Sequence, residues 1–458
     1  MHVRRLAASC GSAVALLTGS LAGQGGGAAV GRIAYDTFSL PNGLQVITSE
    51  SHTIPLVTVD LWYNTGSRNE QTGHSGFAHL FEHLMFQGSA HVKKAEHFQL
   101  VQRAGGTLNG STQEDRTNYW ETLPSNRLNL GLWLEADRMR SLAITQANFD
   151  NQRETVKEER RLGVDNQPYG PAFTDGATLP FDSTTCFAYA HTVIGSMADL
   201  NAAALPDVQA FFDRYYAPNN ATLVVVGDFD PAALRRLVTQ YFGGIPRHEP
   251  PPTPTCDFKL SPGTVRREFT DAHANLPAVF RLYRVPPHSD PDTPALELMN
   301  IILGQGESSR LNVGVVRRDK AALAAQAGIF SGSRRGPNST GVFGITNQGV
   351  TVDHLDSLLA GQVDSLRQFG VTPEELTKAK NTFRAEYIDN RERTFSKAEE
   401  LHHYAMFHAS IAEINTDLDR YLAVTSDDIK RVAAKYLDPA NAVIITVKPA
   451  APTAGGGQ

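Results

Sequence analysis

The chain has 458 residues, 41% of them hydrophobic, with a formal net charge of −6. That length exceeds what one hydrophobic core usually serves, so two domains are expected. The acidic balance and the lack of any basic tract argue against a nucleic acid partner.

At the amino terminus, Arg4-Arg5 precedes an apolar and small-residue run over 6–22 that ends Ser20-Leu21-Ala22. This pattern predicts a secretory signal peptide, 1–22, cleaved after Ala22. Gly11, Ser12, Gly19 and Ser20 make the run too short and too weakly apolar to span a bilayer, and no later segment reads as transmembrane. The expected compartment is therefore the periplasm or the cell exterior. Cleavage would leave Cys186 and Cys256, which an oxidising compartment permits to bridge. Sequence alone does not say whether they pair.

Residues 56–62 (Leu-Val-Thr-Val-Asp-Leu-Trp) are rich in β-branched and aromatic side chains and predict a strand. Two glycine-punctuated loops follow, then residues 77–86 with apolar side chains all round, the composition of a buried helix. Within it stand His79, Glu82 and His83. Positions i and i+4 share a helix face, so both imidazoles can reach one metal, and Glu82 stays near that face. Isolated histidine pairs are usually satisfied surface or core groups. Here two histidines and an acid on so apolar a helix are costly to bury without partners, and a divalent cation would supply them. A catalytic zinc takes three protein ligands and keeps an open position, so a third must come from elsewhere.

A second helix is predicted over 148–162, carrying Glu154, Glu158 and Glu159. Glu159 is the candidate ligand; Glu158 points about 100° away around the axis, so only one of the two can bind. The run Lys157-Glu158-Glu159-Arg160-Arg161 also fits a solvated face, and spacing leaves the choice open.

Tyr215, Pro218, Asn220 and Ala221 recur as Tyr436, Pro439, Asn441 and Ala442, each set between a helical stretch and an apolar β-rich run. The constant offset suggests an internal duplication. Between the copies, prolines 250, 251, 252 and 254 mark a stiff linker over 249–256. The stretch of the second copy that corresponds to the histidine helix, 296–303, has no histidine. His402, His403 and His408 lack an acid at ligand spacing and read as a helix surface.

The segment 62–70, Trp-Tyr-Asn-Thr-Gly-Ser-Arg-Asn-Glu, followed by 76–88 around His79-Leu80-Phe81-Glu82-His83, closely resembles the pitrilysin family of inverted-motif zinc peptidases. The resemblance extends to Gly105-Gly106-Thr107-Leu108-Asn109-Gly110-Ser111-Thr112, Glu154-Thr155-Val156-Lys157-Glu158-Glu159, Tyr216-Ala217-Pro218-Asn219-Asn220 and, more weakly, residues 304–311. It implies a processing-peptidase-like, two-domain bacterial member in which His79, His83 and Glu159 hold one zinc per chain and Glu82 is the general base. Where the family often has a further acid, this chain has Gln152, and Glu154 is the residue expected to stand in for it. Gly106, Leu108 and Asn109 would belong to an edge strand that pairs with extended substrate. Read alone, that segment is a loop.

The resemblance also implies an enclosed chamber. Shorter members build it from two chains, so a dimer is expected, with a non-catalytic relative in preference to a second copy. Arg318 would approach the substrate carbonyl, while an alanine of the run Ala321-Ala322-Leu323-Ala324-Ala325 stands where a tyrosine would fall.

The expected fold is α/β, in an α+β arrangement: two similar units, each a mostly antiparallel sheet with helices packed on one side. The expected domains are a catalytic unit, 31–248, and a homologous non-catalytic unit, 257–449, followed by a flexible tail, 450–458. The expected activity is zinc-dependent hydrolysis of peptides or unfolded polypeptides. A non-proteolytic assembly subunit is the alternative, opposed by the intact zinc motif. Hydrolysis of non-peptide amides is compatible with the metal residues, and the chamber argues against it.

Overall fold

Runs of β-branched and aromatic residues in the first half assemble into one six-stranded sheet. Its strands are β1 (Asp36–Ser39), β2 (Gln45–Glu50), β3 (Leu56–Tyr63), β4 (Thr107–Thr112), β5 (Thr117–Pro124) and β6 (Ala221–Gly227), in the order β1-β2-β6-β3-β5-β4. All pairings are antiparallel except that of β2 with β6. The computed structural model describes residues 31–259 and 263–451. The predicted signal peptide and residues 452–458 of the predicted tail lie outside the described residues.

The second half repeats the plan. Strands β7 (Val265–Asp271), β8 (Ala278–Val285), β9 (Ala322–Ile329), β10 (Asn338–Thr346) and β11 (Val443–Pro449) lie in the order β7-β11-β8-β10-β9. Strand for strand this is the order β2-β6-β3-β5-β4, and again the one parallel pair is the first, β7 with β11. The duplicated tyrosines fall at matching places: Tyr215 and Tyr436 end the helices Leu205–Tyr215 and Ser426–Tyr436. Short 3₁₀ turns, Pro218–Asn220 and Pro439–Asn441, then lead into β6 and β11. The α/β class and the two similar, mostly antiparallel units are thus as expected.

Side-chain alternation decides what each sheet face meets. On β3, Val57, Val59, Leu61 and Tyr63 pack into a core with the helices of the first half, among them α1 (Phe77–Leu84) and α2 (Gln146–Arg160). Their neighbours Thr58, Asp60 and Trp62 are equally buried, but against α3 (Thr394–Phe407), which comes from the second half of the chain. Leu401, Ala398 and Tyr404 of α3 fill the space over Ile47, Val224 and Val226. Each aliphatic side chain so covered contributes about 1.5–3 kcal/mol.

The exchange is reciprocal. Ala172, Tyr169 and Leu179 from the first half cover Ala278, Phe280 and Leu282 of β8, and the Phe173 ring meets Phe280 edge-on at 4.7 Å. The described residues accordingly form one compact unit. The turn joining β4 to β5 is bound to the second half as well: Gly332 N–H donates to Glu114 at 3.0 Å and Arg335 N–H to Asp115 at 2.9 Å.

Two further features bear on the expectations. Cys186 and Cys256 form a disulfide, and Asp257 N–H donates to Thr185 O at 2.9 Å. These contacts pin the end of the proline-rich segment. The reading of His402, His403 and His408 as a helix surface is wrong. His402 is fully buried and stacks on Trp62 at 4.7 Å between centroids, while His403 and His408 turn inward beside His288. The face of α3 that sequence leaves to solvent is covered by the first sheet. Among the described residues no helix is long and apolar enough to cross a membrane.

Candidate metal centre

Helix α1 begins where Gly76, at φ 91°, turns the chain in a conformation that favours glycine. A Cβ there would also come within 2.9 Å of Ile194 O. The buried Glu70 carboxylate caps the helix, accepting from Gly76 N–H at 2.8 Å and Ala78 N–H at 2.7 Å. A negative charge at this end suits both the free N–H groups and the helix dipole. His191 Nε2 lies 2.9 Å from the same carboxylate. Anchored so, α1 buries Phe77, Leu80, Phe81 and Leu84 and turns its polar side toward α2 and β4.

On that side the predicted residues meet. His79 Nε2 lies 3.7 Å from Glu159 Oε1, and His83 Nε2 lies 3.2 Å from Glu159 Oε2. One donor atom from each of the three falls within 4.8 Å of the others. Glu159 therefore faces inward, and Glu158, the alternative on the same helix, pairs with Arg161 at 2.9 Å instead. Arg160 fixes the end of α2 by donating to Gly195 O at 2.7 Å and to Asp175 at 2.9 Å.

The donor set suits zinc: two imidazoles and a carboxylate with room for a further ligand. Burial, reinforced by the neighbouring His83, lowers the His79 pKa to about 4, so that ring is neutral, the ligating form. Its Nδ1 is buried with no hydrogen-bond partner among the described residues, so the polar contacts of the ring are made by its other nitrogen. Burial also acts to lower His83, but the hydrogen bond and charge of Glu159 outweigh it and raise the pKa. Glu159 is held below its ordinary value by the His83 hydrogen bond. The Gln152 carbonyl oxygen lies 3.3 Å from His83 Nδ1 and orients the ring, whereas Glu154, the expected stand-in for the missing acid, is exposed and pairs with Lys157 at 2.8 Å.

Glu82 stands beside this group without joining it. Thr112 Oγ1 donates to Glu82 Oε2 at 2.6 Å. Burial raises the Glu82 pKa, opposed by that hydrogen bond. Strand β4 approaches closely: a Cβ on Gly110 would come within 3.2 Å of Glu82 Cγ. Glu70, Gly110, Thr112 and His191 were not singled out by sequence, although three of them lie in the quoted stretches 62–70 and 105–112.

A cleft of about 480 Å³ opens on His79 and Glu82, lined by Gly110, Ser111 and Thr112 of the first half and by Phe330 and Ser331 of the second. Strand β4 is the last strand of its sheet, so its outer edge has no strand partner among the described residues. Leu108 is half-buried and Asn109 exposed on that edge, and Gly106 precedes it, closely backed by Leu123 and Thr122. Arg318 is not brought to the site. It is exposed, it pairs with Asp319 at 2.7 Å, and it is absent from the residues lining the cleft.

The profile of the family described as Insulinase (Peptidase family M16) matches residues 45–169, and that of the Peptidase M16 inactive domain matches 203–383. The chain is 30% identical over 422 residues to the zinc protease PqqE of Helicobacter pylori, covering 91% of this chain and 93% of that protein. It is 24% identical over 424 residues to the mitochondrial-processing peptidase subunit beta of Blastocladiella emersonii, covering 90% and 88%. The crystal structure of a protease from Helicobacter pylori superposes with a TM-score of 0.86 at 28% identity, covering 91% of this chain and all of that one.

Proposed function

From the premise that this chain belongs to the M16 peptidase family, also called insulinase or pitrilysin, we propose that it is a zinc-dependent endopeptidase. The observation that carries this is the meeting of His79, His83 and Glu159 beside Glu82, with His79 and Glu82 lining one cleft. His79, His83 and Glu159 would hold the ion. Bound there, zinc lowers the pKa of water and polarises the scissile carbonyl. Glu82 takes the proton of the attacking water and passes it to the leaving amine, a role its raised pKa suits. Thr112 keeps that carboxylate aimed. The substrate adds to the free edge of β4 past Gly106, Leu108 and Asn109, its backbone pairing with that strand.

In this reading the catalytic unit is 31–248, joined through 249–256 to a non-catalytic unit, 257–449. The helix Thr293–Gly304, packed against β9 as α1 packs near β4, carries no histidine. The second unit therefore supplies a wall of the chamber. Arg318, exposed and not among the residues that line the cleft, is available to a second chain, which fits a dimer with a non-catalytic relative or a second copy. The disulfide and the amino-terminal apolar run both fit an exported protein.

Metal analysis with a quenched peptide library tests the reaction. Glu82→Gln is expected to keep one zinc per chain and to lose cleavage by at least about 10³-fold, beyond what one proton-transfer group usually contributes at its lower end. Cleavage that survives a chelator, or zinc lost with Glu82, would overturn the assignment. Co-purification mass spectrometry tests the pairing: full activity from the isolated single chain would remove the need for a partner.

A further inference from the structure

A second group of histidines converges far from α1 in the chain. His288 lies in the loop that leaves β8, whereas His403 and His408 stand near and just after the end of α3. One ring nitrogen from each falls within 4.8 Å of the others. His403 Nε2 and His408 Nε2 are 3.3 Å apart. Two ligands bound tetrahedrally at 2.0–2.1 Å from one ion stand about 3.3–3.4 Å apart, so this pair already has the spacing of a shared metal.

The far sides of the rings strengthen the case. His408 Nδ1 lies 3.0 Å from Glu413 Oε2, and His288 Nδ1 lies 3.5 Å from Glu297 Oε1. Glu297 is itself fixed by the Tyr421 hydroxyl, which donates to it at 2.8 Å. A carboxylate behind a metal-bound imidazole sets its tautomer and its direction; Glu413 holds that place for His408, and Glu297 stands close to His288. The cations facing the cluster, Arg334 and Arg420, are offset by Glu297, Glu413 and Asp417. The other buried His and Glu cluster, His97 with Glu121 and Glu135, differs in kind, because the Arg138 guanidinium already supplies its positive charge.

We propose that His288, His403 and His408 form a second metal site, for a divalent transition ion that favours imidazole, separate from the peptidase centre. Its ligands come from the loop after the second sheet's β8 and from the helix laid across the first sheet. A bound ion would therefore tie the end of the helix that covers the first sheet to the loop that leaves the second sheet, a structural role that needs no open cleft. The proposal does not depend on the peptidase reading.

Cobalt titration of the chelator-stripped full chain tests it. The variant His79→Ala/His83→Ala removes the first centre and is expected to retain one Co²⁺ per chain, with the visible absorption of a tetrahedral site. Adding His403→Asn should abolish that binding, with the far-ultraviolet circular dichroism unchanged. In the otherwise wild-type chain, His288→Gln and His403→Asn should each lower the count from two ions to one, which covers a double variant that fails to fold. A folded His79→Ala/His83→Ala chain that binds no cobalt would show that His403 and His408 are merely hydrogen-bonded to each other. An unchanged count in both His288→Gln and His403→Asn would overturn the site equally.

Discussion

Thr112 and Glu82 show how a side chain outside the motif sets the one inside it. The Thr112 hydroxyl is the hydrogen bond that opposes burial at the Glu82 carboxylate and keeps it pointed into the cleft. Hydrogen bonds to charged groups are worth about 1.5–3 kcal/mol. Thr112→Val should therefore lower kcat about 10- to 100-fold while the zinc content stays at one per chain, measured by steady-state cleavage beside metal analysis. A variant that loses zinc would instead give Thr112 a role in building the ligand set. His79, Glu82 and His83 were legible in sequence because their relation is local, fixed by helical spacing. Glu159 needed the family resemblance, since nothing local separates it from Glu158; α2 packing against α1 makes the difference, leaving Glu158 on Arg161. The bond from Thr112 and the acceptor supplied by Gln152 depend on how β4 and α2 approach α1. No spacing rule predicts that approach.

Elements were legible where one face is apolar and the other wet. The duplicated helix, turn and strand before β6 and β11 were read from an offset, because both copies keep the same residues at the same bends. Strand β3 was legible as a strand, but the fate of its second face was not: Thr58, Asp60 and Trp62 are as buried as their neighbours. Contacts between elements also rest on charge. Asp292, at the start of the helix Thr293–Gly304, accepts from Arg431, Lys435 and Tyr436 of the helix Ser426–Tyr436. Burial acts to raise its pKa, but those three donors outweigh it and hold it at about 2. An aspartate depressed below its unfolded value of about 3.9 stabilises the fold above that pH and loses the effect as pH falls toward 2. Asp292→Asn should then cost about 1–2 kcal/mol at neutral pH, a figure reduced because Lys435 and Arg431 are half-exposed. The deficit should shrink between pH 4 and pH 2 in urea unfolding. A deficit that does not change with pH would mean that shape, not charge, joins these helices.

At the scale of the whole molecule, the proline-rich segment 249–256 divides the sequence more cleanly than it divides the structure. A chain cut there would separate α3 from Ile47, Val224 and Val226, and Ala172 and Tyr169 from Phe280. It would also break the contacts of Glu114 and Asp115 with residues 332–335 beside the cleft. Losing the cover over the back of the first sheet exposes several aliphatic side chains at about 1.5–3 kcal/mol each, comparable with the 5–15 kcal/mol by which a domain is usually stable. A fragment 31–256 should therefore fail to fold cooperatively or to bind zinc, although it carries every predicted ligand. Co-expression with 257–458 should restore one zinc at the first centre and a single unfolding transition. If fragment 31–256 alone melts cooperatively with its zinc, the exchange of helices is a contact between finished domains and not a condition of folding. The sequence could mark the seam but not the exchange across it, because α3 lies more than 160 residues along the chain from every strand it covers.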